Sequence, residues 1–281
     1  MATLAGMSEA APALLALDTS TETMAVALRG PLGVRLHEGE GGAQASASLL
    51  PSIQALLREQ GLRAADLAAV AFGCGPGAFT GLRTACAVAQ GLALGAGCPV
   101  VPVDSLMLVA EDTAGHPGSQ ASPATPSTGA LAAVAMDARM GELYAALYRW
   151  RGAALAPAGW EVALPPGLYE PQVLAEVWRA QLEAAAGGCW VAGSGLALLP
   201  PGAMPAGTPT RPGRSRAGAL LRLAERLLAA GAAVDPAQAL PIYLRDKVAL
   251  TVAERAAASM ASAASVASAA SAASAASAAA R

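Results

Sequence analysis

The sequence predicts an α/β protein built from two similar units, and three observations support this prediction. A strand, a glycine-rich loop, a helix and a second strand follow one another over residues 68–103, which implies that the two strands pair in parallel. Both halves of the chain begin with a strand and an antiparallel partner, at 14–29 and at 131–150. The 281 residues exceed the roughly 100–200 of an average domain and can enclose a sizeable core.

The first half alternates apolar runs with turn residues, and its longer apolar stripes have helical spacing. The expected elements are strands at 14–18, 23–29 and 34–38, a helix at 48–60, a strand at 68–72, a helix at 81–94, a strand at 100–103 and a helix from Ser105. Pro51 is expected in the first turn of the helix at 48–60, where proline is tolerated, and Gly61 ends that helix.

The second half repeats this pattern after a loop at 115–129 that is rich in Pro, Ser, Thr and Gly. The expected elements are strands at 131–137 and 142–150 with a turn at 139–141, a helix at 171–186, a strand at 189–192, a loop at 200–212 and a helix at 216–230 capped by Ser215. The expected organisation is a flexible extension at 1–13, a first lobe at 14–108, a second lobe at 109–255 whose helix 216–230 packs back on the first, and an Ala/Ser tail at 256–281.

The apolar content does not indicate a membrane protein. Hydrophobic residues make up 54% of the chain but aromatic residues only 4%, because about half of the apolar residues are alanine. No charged residue occurs between Arg83 and Asp104, a stretch about long enough to span a bilayer. Glycines and prolines divide it into a helix and a short strand. The N-terminus lacks the basic and apolar regions of a secretory signal, so we expect a cytoplasmic protein without a membrane segment.

The residues that most metal and hydrolytic sites require are scarce. The chain has two histidines and four cysteines, with no Cys-x-x-Cys pair, so we expect reduced thiols, no metal site and no histidine-dependent catalysis. The net charge of −2 gives no overall attraction for a phosphate backbone. Any contact with RNA should therefore be indirect or weak.

Four residues are weak candidates for a nucleotide site. Gly75 and Gly77 lie in the glycine loop before the helix at 81–94, where they either cradle a phosphate or form a tight packing turn. The loop matches neither the P-loop nor the dinucleotide pattern. Asp18 ends the first strand, but the turn after it has no glycine. Asp137 is either its counterpart in the second half or a turn aspartate.

Five short segments, at 15–22, 75–83, 90–95, 137–144 and 241–245, resemble in this order the TsaB (YeaZ) family. The resemblance extends over about residues 14–255. It implies the fold shared by actin, Hsp70 and sugar kinases (ASKHA), with two lobes of duplicated βββαβα type and a degenerate nucleotide cleft.

The resemblance further implies a non-catalytic subunit without a cofactor. Such a subunit binds and activates the TsaD transferase, which carries out N6-threonylcarbamoylation of the tRNA adenosine next to the anticodon. The TsaE ATPase completes that complex, and a homodimer is possible when the subunit is alone.

In the family, the helices that correspond to 48–60 and 81–94 form the partner interface. The residues expected there are Leu49, Leu50, Ile53, Leu56, Arg83, Ala87, Gln90 and Gly91. The alternative is a small-molecule kinase or ATPase of the same superfamily, which Asp18, Asp137 and the glycine loop would serve. A glycoprotease has no supporting residues.

Overall fold

The computed structural model describes residues 12–114, 125–152, 154–185 and 187–245. Most of the expected N-terminal extension, most of the expected loop at 115–129 and the whole Ala/Ser tail lie outside the described residues. The described chain up to Leu244 forms one compact unit that contains two β-sheets.

The first sheet has five strands in the order β3-β2-β1-β4-β5. Its strands are β1 (Ala13–Asp18), β2 (Thr23–Gly30), β3 (Gly33–Glu40), β4 (Leu67–Gly75) and β5 (Val100–Asp104). The first three strands form an antiparallel meander, and β4 pairs in parallel with both β1 and β5. The parallel pairing predicted for the strands around the glycine loop is therefore present.

The second sheet has four strands in the order β8-β7-β6-β9. Its strands are β6 (Leu131–Asp137), β7 (Leu143–Trp150), β8 (Trp160–Tyr169) and β9 (Cys189–Ala192). An antiparallel meander again precedes a strand that is parallel to its first strand, so the second sheet repeats the arrangement of the first four strands of the first sheet and has no counterpart of β5. The sequence patterns do not predict β8, because Pro165, Pro166 and Gly167 interrupt it; an edge strand tolerates such residues.

The helices are α1 (Ala45–Glu59), α2 (Phe79–Ala96), α3 (Ser105–Thr113), α4 (Pro171–Glu183) and α5 (Arg216–Ala229). The prediction that Pro51 lies in the first turn is wrong. A 3-10 turn at Gly42–Gln44 runs into α1, which starts at the buried Ala45 and places Pro51 in its second turn. Helix α2 continues beyond residue 94 because its stop is Gly97, which has the left-handed conformation with φ of 67°.

Helices and sheets alternate in five layers. On β1, Leu15 and Leu17 face α1 and α2, whereas Leu14 and Ala16 face the opposite side, where α3 and α5 lie. Helices α3 and α5 also pack against the inner face of the second sheet, and α4 covers its outer face. Helix α5 thus contacts β1 and β2 of the first sheet although it follows the whole second sheet in the chain. Helices α1 and α2 form an outermost layer.

Buried polar contacts connect the central layer, which consists of α3 and α5, to both sheets. Glu111 of α3 accepts hydrogen bonds from Arg222 Nε at 2.8 Å, from Arg226, and from Trp160 Nε1 at 2.9 Å. Asp104 caps α3 through Oδ1, and its Oδ2 accepts a bond of 2.6 Å from the hydroxyl of Tyr148 on β7. Burial raises the pKa of Asp104, and these hydrogen bonds oppose that rise by stabilising the carboxylate.

Tyr148→Phe should reduce the free energy of unfolding by about 1–3 kcal/mol, because it leaves a buried oxygen of Asp104 without its donor. Urea denaturation at neutral pH measures this change. Tyr144→Phe on the same strand is the control and should alter stability by less than about 0.5 kcal/mol. Equal stability of Tyr148→Phe and the wild type would contradict the assigned role of the hydroxyl.

Candidate functional sites: the glycine loop and the outer helix layer

The turn that follows β1 packs directly against the glycine loop. The Ala78 amide donates to the carbonyl of Ser20 at 2.8 Å, and the Thr19 hydroxyl donates to the carbonyl of Gly81 at 2.6 Å. Thr19 and Ser20 are both buried. An amide that opens α2 is thus bonded to the protein itself, where a phosphate-binding loop would present it to a ligand.

The glycines of this loop allow the turn to come close. A Cβ added to Gly73 would lie 1.8 Å from Asp18 Oδ1, and one added to Gly81 would lie 1.8 Å from the carbonyl oxygen of Thr19. A Cβ on Gly77 would come within 2.6 Å of the backbone of the turn. Any side chain at these positions would force the turn away from the loop, so the glycine spacing follows from packing.

Asp18 is completely buried and ion-paired within the chain. Arg216, the first residue of α5, donates from Nε to Asp18 Oδ2 at 2.7 Å and from Nη2 to Ser20 Oγ at 2.9 Å. The Ser20 hydroxyl donates to the same carboxylate oxygen at 3.1 Å. A guanidinium of the chain itself therefore pairs with one oxygen of Asp18, while the buried Oδ1 has no hydrogen-bond partner among the described residues. Removing Arg216 would leave a buried carboxylate unpaired, which is costly.

Gly75 is held on both sides by protein. Its amide donates to Ser105 Oγ at 3.0 Å, and a Cβ on it would meet the carbonyl oxygen of Ile242 at 2.8 Å. The Ile242 amide in turn donates to the carbonyl of Cys74 at 2.7 Å. Ile242, which belongs to one of the matched motifs, thus covers the loop.

Asp137 acts as a turn aspartate. Its Oδ1 accepts the backbone amide of Arg139 at 2.7 Å, and Arg139 and Met140 adopt positive φ of 66° and 58°, as expected for the predicted turn. Arg139 also forms an exposed ion pair of 3.1 Å with Glu22 of the first hairpin. Arg139 therefore connects the turn of Asp137 to the first hairpin, and Asp137 itself is partly exposed whereas Asp18 is buried.

The described residues contain no group of three or more His, Cys, Asp or Glu side chains that could hold a metal ion. Within the same ranges, no helix is both long and apolar enough to cross a membrane.

The eight expected partner-interface residues fall into three groups. Leu50, with 44% of its surface exposed, and Arg83, Ala87 and Gly91 lie on the outside of α1 and α2. Gln90 is half-buried, and its side-chain amide donates to the backbone carbonyls of Pro236 and Ala239, both at 3.0 Å.

The other three expected interface residues do not lie on this outer face. Leu49, Ile53 and Leu56 are at most 5% exposed and pack on the first sheet. Their regular spacing marks the side of α1 that faces the chain's own core. The expectation that these three contact a partner is therefore revised.

Comparison with known proteins identifies the family. The model of the TsaD family, tRNA N6-adenosine threonylcarbamoyltransferase, matches residues 37–171. A TsaB protein of Escherichia coli is 34% identical over 240 residues, which cover 84% of this chain and 96% of that protein. A TsaB protein of Haemophilus influenzae is 41% identical over 132 residues, which cover 47% of this chain and 51% of that protein. The chain belongs to the TsaB (YeaZ) family.

A solved TsaB-family structure has the same arrangement over most of the chain. YeaZ from Pseudomonas aeruginosa is 32% identical, with a TM-score of 0.63, and covers 83% of this chain and 100% of its own. A second Pseudomonas aeruginosa structure, described as similar to the peptidase YeaZ, is 34% identical, with a TM-score of 0.65 and coverage of 84% and 100%. These matches agree with the α/β fold predicted from the sequence.

Three residues of this TsaB-family chain acquire a role only in the structure. Arg216 lies 198 positions from Asp18, so no local pattern connects them. Leu94 is 64% exposed and continues the outer face of α2 after Ala87 and Gly91, and helical spacing could have identified it. Tyr243 lies in a matched segment, but nothing in the sequence indicates that it contacts α2.

Two glycines of α2 offer a matched test of the loop packing. Gly81→Ala should destabilise the protein, because the new Cβ would meet the Thr19 carbonyl oxygen. The new Cβ of Gly95→Ala would have no atom within 4 Å. The second change should stabilise the protein by roughly 0.5–1 kcal/mol, the usual difference between Ala and Gly in a helix. Urea denaturation of both variants measures this. Equal stability of the two variants would show that the close approach at Gly81 is unimportant.

Proposed function

We propose that the chain is a non-catalytic TsaB-type subunit that binds and activates a TsaD-type transferase for N6-threonylcarbamoylation of the tRNA adenosine next to the anticodon. The observation that carries this proposal is the closed glycine loop, by which we mean that Ala78 and Gly75 donate their amides to Ser20 and Ser105 of the chain itself. The neighbouring carboxylate of Asp18 is buried against Arg216. The related proteins of Escherichia coli and Haemophilus influenzae are named for tRNA threonylcarbamoyladenosine biosynthesis.

In this proposal the two sheets are the cores of two duplicated lobes of the actin-like fold, and the nucleotide cleft between them is degenerate. The repeated sheet topology supports the duplication. The intramolecular partners of Asp18 and Gly75 support the loss of nucleotide binding, because they occupy groups that a phosphate or its cation would use.

The partner face in this proposal is the outer surface of α1 and α2. Ala87 and Gly91 are small enough to let a helix of the partner approach closely, while the exposed Leu50 and Leu94 supply apolar area. A stable interface buries about 1,200–2,000 Å² in total. A TsaE-type ATPase would join this complex in the cytoplasm. When the partner is absent, a homodimer would form through the same face. Contact of this chain with tRNA would be indirect or weak.

Leu50→Asp and Ala87→Asp should each weaken binding to a TsaD homologue by about 100-fold or more, because the new carboxylate would be buried unpaired in the interface. Isothermal titration calorimetry measures the affinity, and circular dichroism confirms that each exposed-site variant is folded. Val173→Asp on α4 is the matched control, since Val173 is 48% exposed on a helix on the far side of the molecule. It should bind like the wild type.

Reconstitution with the TsaD and TsaE homologues extends the test to activity. Threonylcarbamoylation of tRNA should require the wild-type chain and should fail with Leu50→Asp but not with Val173→Asp. A folded Leu50→Asp variant that binds and activates normally would contradict the assigned face. A wild-type chain that neither binds nor activates the transferase would contradict the function itself.

The closed glycine loop also predicts that the isolated chain binds Mg-ATP no more tightly than at millimolar concentration, a standard free energy of about −4 kcal/mol. Calorimetry with Mg-ATP measures this. Micromolar binding that is lost in a folded Asp18→Ala variant would instead support the alternative of a kinase or ATPase.

A further inference from the structure

Arg83, on the outer face of α2, is held in place by two aromatic side chains. Its guanidinium carbon lies 3.8 Å from the centre of the Phe79 ring, and its Nε donates to the Tyr243 hydroxyl at 3.2 Å. The two rings are themselves in contact, with centroids 5.1 Å apart. An arginine that is exposed to solvent is thus fixed by a stacking contact and a hydrogen bond.

The terminal nitrogens of this guanidinium remain available. The Tyr243 hydroxyl accepts a hydrogen bond from Nε alone. In the described part of the chain, no carboxylate forms an ion pair with Arg83. The fork of Nη1 and Nη2 matches the two oxygens of a carboxylate. Its orientation is already restricted, so less side-chain freedom is lost when a ligand binds.

Tyr243 is positioned by the backbone of the C-terminal strap, which we define as residues 234–244. Val234 bridges to Val100 at one end, Gln90 holds two carbonyls in the middle, and Ile242 bonds to Cys74 at the other end. The strap therefore carries Tyr243 to the first turn of α2. This gives a role to the matched motif at 241–245, which the proposed function leaves unexplained.

We propose that Arg83 is a preorganised docking residue that binds a carboxylate side chain of the TsaD-type partner, and that Tyr243 is its positioning residue. This inference rests on the proposed function and names a contact within its partner face. The surroundings favour a protein partner over RNA. Leu240 and Ile242 on the strap are 72% and 39% exposed, and one face of the Phe79 ring is already covered by Arg83, which leaves less aromatic surface for a base.

A double-mutant cycle tests the proposal, with the affinity for the TsaD homologue measured by calorimetry. Arg83→Ala should weaken binding about 10- to 100-fold, and Arg83→Lys should not restore it, because lysine lacks the fork. Tyr243→Phe should weaken binding roughly 3- to 10-fold in the wild-type background. In the Arg83→Ala background it should change the affinity by less than about twofold, since the hydroxyl acts through Arg83.

Arg179→Ala is the matched control, because Arg179 is an exposed arginine on α4, which lies on the far side of the molecule from α1 and α2. It should bind within about twofold of the wild type. Thermal midpoints of all variants should stay close to that of the wild type, because Arg83 and Tyr243 both lie at the surface.

Three results would overturn the inference. Arg83→Ala could bind the partner like the wild type, Tyr243→Phe could have the same effect in both backgrounds, or Arg83→Ala could lose tRNA in filter binding while keeping the protein partner. In each case Leu50→Asp would still abolish partner binding if the proposed function is correct. If the wild-type chain does not bind the TsaD homologue at all, the proposed function fails first.

Discussion

The contact between the turn after β1 and the glycine loop is the interaction on which the rest of the structure depends. It brings the Asp18 carboxylate within reach of the backbone at Gly73, and that carboxylate is then buried. A buried carboxylate requires a partner, which Arg216 provides from the start of α5. The ion pair thereby fixes α5 in the central layer, between the two sheets, and couples the two halves of the chain.

The same contact determines which surface is left for function. The loop that opens α2 is bonded to the turn on one side and to the strap on the other, so α2 starts at a defined point. Its inner residues pack on the first sheet, while its outer residues run from Arg83 through the small Ala87 and Gly91 to the exposed Leu94. A helix in this position has a rigid base and an open outer face, which suits docking to another protein.

The sequence predicts the parts of this structure that local patterns determine. The strands of the first sheet and the helix after the glycine loop follow from apolar runs and glycines, and the family resemblance rests on five matched segments in order, of which 75–83 includes part of the same loop. Strand β8 could not be found this way, because Pro165 and Pro166 oppose the usual strand pattern and only pairing with β7 makes it a strand. The Asp18–Arg216 pair could not be predicted from local patterns either, because it depends on how distant segments meet in the fold.

The interface prediction shows a different limit. An apolar stripe with helical spacing marks the buried side of a helix, so choosing Leu49, Ile53 and Leu56 identified the core-facing side of α1. Leu50 and Ala87, which the family resemblance also names, do lie on the outer face. Only the burial seen in the structure separates them from Leu49 and Ile53.

Hydrogen exchange of the backbone amides, followed by mass spectrometry, tests the central claim most directly. Exchange is compared for the chain alone, with a saturating TsaD homologue, and with Mg-ATP. The account predicts that the partner slows exchange in peptides from α1, α2 and residues 241–244, and that Mg-ATP changes nothing at residues 73–81. Slower exchange at 73–81 with Mg-ATP, together with unchanged exchange of α1 and α2 in the presence of the partner, would contradict it.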